Sequence, residues 1–181
     1  MDRLYAAFTG GAAARKADAR VVVLSSTAHT MGSVRTDDLH YSKGRSYSAW
    51  GAYGQSKMAN LLFAMSLEKR FRDDGFASTC TAVSVHPGVI KTNLWKNTAF
   101  SSNIVVSWFG DVFLMKKTIP QGAATSVYAA LHADAARQDM RGAYLVDCAK
   151  GAPSGTSAEL AKDLQLATNE QLKEKLSLLE N

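Results

Sequence analysis

Cysteine is scarce, with two residues, Cys80 and Cys148, among 181. No disulfide framework can organise the chain, no Cys/His grouping has zinc-ligand spacing, and a reducing compartment is the expectation. Long apolar runs are missing too. The most apolar stretch, 104–115, contains Asp111 and falls short of the roughly 20 residues a bilayer-crossing helix needs, so no membrane span is predicted. The first twenty residues carry neither the apolar core of a secretory signal nor a clear transit-peptide character and are read as part of the fold. Internal repeats and low-complexity tracts are absent.

What remains is ordinary globular composition, 46% hydrophobic and 20% charged, which predicts one domain over residues 1–181 with a sizeable core. The net charge of +5 raises the question of nucleic acid. Its pattern answers against it: Lys69, Arg70 and Arg72 are diluted by Asp73 and Asp74, Lys116 and Lys117 by Asp111, and no aromatics interleave them as stacking platforms.

Val21 to Leu24 is continuous and β-branched rather than alternating, which predicts a strand buried on both faces and hence a parallel sheet. Residues 27–47 are polar and predict a long, functional loop. From about Ser48 to Asp74 the pattern is helical, with Ala52, Ala59, Phe63, Leu67 and Phe71 on one stripe and Gly75 as a stop. A second strand, Thr79 to Val85, must end at His86-Pro87-Gly88. Residues 93–118, with Trp95 and Trp108, predict short helices that serve either as a substrate lid or as plain core. A helix from Pro120 to about Ala133, a strand from Ala143 to Val146 and a C-terminal helix over 157–180 complete the order. That alternation predicts an α/β fold with a parallel sheet and right-handed crossovers. Ser25, Ser26 and the Pro87 to Thr92 loop then share the carboxyl rim of the strands, where such sheets place their crevice.

Tyr53 and Lys57 lie four apart on the long predicted helix, so they share a face. A phenol ionises near 10 on its own, and a fixed cation beside it favours phenolate, which makes the pair usable for general acid/base chemistry. Alone, the spacing fits an incidental surface pair better. A serine hydrolase built on Ser26 and His86 would need a glycine-flanked nucleophile turn, which the sequence lacks. His86 reads as a packed histidine, and His29, His40 and His132 show no paired spacing. The Thr9-Gly10-Gly11 run lacks the later glycines of a dinucleotide fingerprint and is expected to break a helix.

The order of these pieces is more specific than any one of them. VVVLSSTAH at 21–29, YGQSK at 53–57 followed by ANLLF at 59–63, and HPGVIKTNL at 86–94 resemble the classical short-chain dehydrogenase/reductase family over roughly residues 20–170. The interval from Ser26 to Tyr53 and the QGAAT run at 121–125 resemble the branch holding the retinol dehydrogenases, WW-domain oxidoreductases and a plastid import-associated dehydrogenase, the last most of all. The resemblance implies an NAD(P)-dependent oxidoreductase, NADP favoured, that interconverts an alcohol and a carbonyl on a hydrophobic or bulky small molecule. It gives Ser26 the substrate oxygen, Tyr53 the proton and Lys57 the nicotinamide ribose. Pro87, Gly88, Val89 and Thr92 then hold the nicotinamide and pyrophosphate end.

The same resemblance exposes two gaps: the glycine-rich turn, and the asparagine expected before the serine strand, since the first asparagine in the chain is Asn60. The expectation is therefore the C-terminal half of a doubly wound, Rossmann-like sheet, truncated before its adenosine-binding half, with weak dinucleotide affinity. Strand 21–24 becomes an apolar edge, expected to self-associate or lower solubility. The alternative is a non-catalytic relic or scaffold of the same fold. Location is left open, soluble intracellular, in cytoplasm or plastid.

Overall fold

The computed structural model describes residues 2–15, 18–90 and 117–177. In order, these form α1 (Asp2–Arg15), β1 (Ala19–Leu24), a 3-10 turn (Thr27–Met31), α2 (Ala49–Asp73), β2 (Cys80–His86), α3 (Ile119–Leu131), β3 (Tyr144–Val146), β4 (Ala149–Lys150) and α4 (Ala158–Ser177). The sheet order is β1-β2-β3-β4. β1, β2 and β3 are parallel, as the alternation predicts; β4 is a two-residue antiparallel addition that its length hid from the sequence pattern. Among the described residues β1 pairs only with β2 and is an edge.

Helices cover both faces. Val22, Val83, Val85 and Leu145 pack under α3 through Ala129 and Tyr128, with Met140 and Ala143 beside them. On the other face Val21, Cys80 and Ala82 meet Phe71 and Leu67 of α2 and Tyr5, Phe8 and Ala12 of α1. Met58 and Leu62 carry α2 onward against Ala161 and Leu164 of α4. All seven residues of β2 are buried, which is the continuous burial a central parallel strand requires.

Three expectations are corrected. β1 is only half-buried and Leu24 is 52% exposed, because its outer side has no neighbouring strand among the described residues. Gly10 and Gly11 do not break a helix: α1 runs through both, held by Tyr5 and Phe8 stacked on Phe71 at 5.7 and 5.8 Å, packing that outweighs propensity. Phe63 lies outside the buried stripe of α2, because that helix divides its apolar surface between the sheet and α4. The C-terminal helix forms as expected, burying Ala161 and Leu164 and leaving Leu172 and Leu176 exposed. The helix boundaries follow their caps: Ser48 accepts from the Gly51 N–H, and α2 ends at Gly75 with φ +80°. The proposed lid, 93–118, lies outside the described residues except for its last two positions.

Candidate functional site

Two serines end β1, and the structure separates their roles. Ser25 is buried; its N–H donates to the Val85 carbonyl and its hydroxyl to the Lys57 carbonyl at 2.8 Å. That hydroxyl is spent on joining β1 to α2. Ser26 is half-buried, and its Oγ accepts from the Ala28 N–H at 3.2 Å as the cap of the 3-10 turn.

That turn is seated directly on the first turns of α2. A Cβ built on Gly32 would lie 2.3 Å from the Gln55 nitrogen, and one on Gly54 2.7 Å from the Ala28 carbonyl oxygen. Only two glycines facing one another allow this approach of backbone to backbone. Farther out, the polar loop is pinned to the same helix: Arg45 donates to the Asp38 carbonyl and to Gln55 Oε1, and Gln55 donates to the Leu39 carbonyl.

Tyr53 and Lys57 lie on α2 beside this contact. The ammonium is 5.5 Å from the Tyr53 ring centroid, and the ring meets Trp50 edge-on at 6.2 Å. Tyr53 is 38% exposed, and among the described residues its hydroxyl has no hydrogen-bond partner. Lys57 Nζ is 3.5 Å from the Leu24 carbonyl, to which Asn60 donates more closely, at 2.8 Å. Tyr53, Lys57 and Asn60 thus follow one helical stripe, and its last two members reach the end of β1. Asn60 was missed as a contributor; its three-residue spacing from Lys57 was the available signal.

The turn after β2 supplies the neighbouring wall. Gly88 has φ +87°, and a Cβ there would press 2.7 Å from Lys117 Cδ. The Val89 carbonyl accepts from the Lys117 N–H, and Lys117 pairs with Asp147. His86 is buried just before the turn with Nδ1 unpartnered; burial first, then the Lys117 cation, pushes its pKa down. It is a packed histidine, as expected. Thr92 lies outside the described residues. This open rim, with a left-handed glycine turn and an ammonium held by one long bond, fits the nicotinamide end of a dinucleotide; no glycine-rich turn for the adenosine end occurs among the described residues.

The other histidines have structural partners that their sequence positions do not indicate. His29 is bonded through both ring nitrogens, His40 meets Gln171 Oε1 at 3.0 Å, and His132 stacks on Tyr128 near Asp134. An apolar groove of about 650 Å³ lies elsewhere, along Pro120, Ala124, Val127, Tyr128 and Leu131 of α3, and contains none of the candidate residues.

No family model matches the chain. It is 39% identical over 138 residues to the chloroplastic short-chain dehydrogenase TIC 32 A of Brassica napus, covering 76% of this chain and 41% of that one. With mouse retinol dehydrogenase 12 the identity is 41% over 134 residues, covering 73% and 38%, and with human polyprenol dehydrogenase 38% over 113 residues, covering 62% and 32%. The chain therefore spans about two fifths of the length of the first two relatives and a third of the last. A crystal structure of an uncharacterised protein from Mycobacterium paratuberculosis superimposes with a TM-score of 0.50 at 30% identity, over 83% of this chain and 47% of that one. Sequence and fold together place this chain among the short-chain dehydrogenases, as part of that domain's length.

Proposed function

We propose that the chain carries the catalytic portion of an NAD(P)-dependent oxidoreductase that interconverts an alcohol and a carbonyl on a hydrophobic small molecule. The observation that carries the reading is the Tyr53 hydroxyl, free among the described residues, beside the Lys57 ammonium on a helix tied by Ser25 and Asn60 to the strand that ends in Ser26. NAD(P), when bound, supplies or accepts the hydride. Ser26 donates a hydrogen bond from its hydroxyl to the substrate oxygen and orients it, keeping its own proton, while its Oγ remains an acceptor for the Ala28 N–H. Tyr53 delivers a proton to that oxygen in the reductive direction and removes it in the oxidative one. Lys57 holds the ribose hydroxyls and, as a fixed cation, stabilises the phenolate left behind. Pro87, Gly88, Val89 and Thr92 hold the nicotinamide end. Hydrophobic substrates follow from the relatives' names, which specify retinol and polyprenol, and from the apolar sequence between Trp95 and Met115.

The test is oxidation of NADPH by all-trans-retinal or a long-chain aldehyde. Turnover in the native chain that falls by about 10²-fold or more in Tyr53→Phe supports the assignment; equal rates in the two contradict it.

A second reading, a scaffold whose business is partner binding, is favoured by the β1 edge. Ala19 and Ser25 donate toward β2, so the backbone of Arg20, Val22 and Leu24 faces outward, with the Leu24 carbonyl capped by Asn60 and Lys57. Self-association through this edge in a chain without turnover would favour the scaffold.

A further inference from the structure

We propose that His29 is a positioning residue that fixes the turn presenting the Ser26 hydroxyl, acting as a clamp between three separate parts of the fold. The proposal builds on the role assigned above to Ser26. His29 is 2% exposed. Its Nδ1 lies 2.6 Å from the Ser26 carbonyl oxygen, an atom that can only accept, so Nδ1 carries the proton. Its Nε2 lies 3.2 Å from the Ser154 backbone nitrogen, which can only donate, so Nε2 is bare. The two partners therefore select the same neutral tautomer independently. The ring also meets Tyr144 of β3 edge-on at 5.1 Å.

The consequence is specific to Ser26. Its carbonyl accepts two donors from one residue, the His29 side chain and the His29 backbone N–H at 3.1 Å, while its Oγ caps Ala28. The peptide plane after Ser26 is thus held from beyond the turn, and the Cα–Cβ direction of Ser26 with it. Ser154 and Tyr144 anchor the clamp to the loop before α4 and to the sheet. A hydroxyl that must meet a substrate oxygen within hydrogen-bond reach gains from such support, because small misplacements of a catalytic group cost large factors in rate.

The experiment compares the native chain with His29→Asn and His29→Phe. Asn offers an amide N–H near the Nδ1 position; Phe keeps the ring but no polar atom. Long-range ¹H–¹⁵N NMR of the native imidazole is expected to show the Nδ1–H tautomer, and hydrogen exchange at the Ala28 amide is expected to accelerate about tenfold or more in His29→Phe and much less in His29→Asn. In steady state kcat is expected to fall about tenfold or more in His29→Phe with KM within about threefold, and to be largely rescued in His29→Asn. An Nε2–H tautomer, or Ala28 exchange unchanged in His29→Phe, overturns the clamp. Loss of kcat in both variants alike overturns the positioning role. If the native chain has no turnover, the catalytic reading of Ser26 fails, and the tautomer and the Ala28 exchange still decide the clamp.

Discussion

Glu68 is wholly buried in α2, yet its carboxylate has a definite task in the sheet. β3 begins too late to pair with the start of β2, so the Ala82 N–H has no strand partner on that side; Glu68 Oε2 accepts from it at 2.9 Å. Arg141 completes the substitution by donating to the Cys80 carbonyl at 2.7 Å while lying 3.7 Å from Glu68 Oε1. Burial pushes the Glu68 pKa up, against the pull of the Ala82 N–H and of Arg141. Glu68→Ala is expected to cost about 1–3 kcal/mol by stranding a buried donor, and Glu68→Gln distinctly less; urea midpoints check the order. His86 gives the acid-side prediction. Its folded pKa lies below the ordinary value of 6.5, so the unfolded chain takes up the proton first. The stability present above pH 6.5 is therefore lost as pH falls through the depressed folded value, and thermal melts of His86→Gln should show a smaller loss over that window than the native chain.

The elements show which interactions could be read from the residues and which could not. β2, α2, α3 and α4 were readable because period and punctuation coincide: the His86-Pro87-Gly88 stop, the Ser48 cap, Gly75 after the last turn, and Pro120 inside a helix capped by Thr118. Tyr53 and Lys57 were readable as neighbours because a helix fixes four-residue spacing. The seat of the 3-10 turn on α2 was not, since Gly32 and Gly54 signify nothing until tertiary contact brings their backbones together. Nor was α1, whose two glycines argue against a helix that distant aromatics impose. Gly32→Ala is expected to lower stability by about 1–3 kcal/mol, because the added carbon meets backbone and cannot be relieved by a rotamer change. Gly10→Ala and Gly11→Ala are expected to do the opposite, each adding about 0.5–1 kcal/mol, since both positions are exposed and have nothing within 4 Å. Denaturant titrations of the three variants against the native chain measure both signs.

At the scale of the whole molecule, the candidate site lies at one end of the sheet's outer strand, so its chemistry and its open edge share β1. Helices cover the faces of β1 while its outward backbone groups at Arg20 and Val22 invite another strand. Light scattering across a concentration series is expected to show mass rising with concentration, and Leu24→Lys, at the exposed end of the strand, to reduce it; a monodisperse monomer throughout would contradict the edge as an association site. The central claim concerns the hydride and the proton, and isotope transfer reads it without relying on bulk absorbance. With NADPH deuterated at C4 of the nicotinamide and all-trans-retinal or a long-chain aldehyde as acceptor, mass spectrometry of the alcohol product should find one deuterium per molecule in the native chain and almost no product in Tyr53→Phe. Unlabelled alcohol, no alcohol from the native chain, or equal labelled product from both proteins would contradict the account.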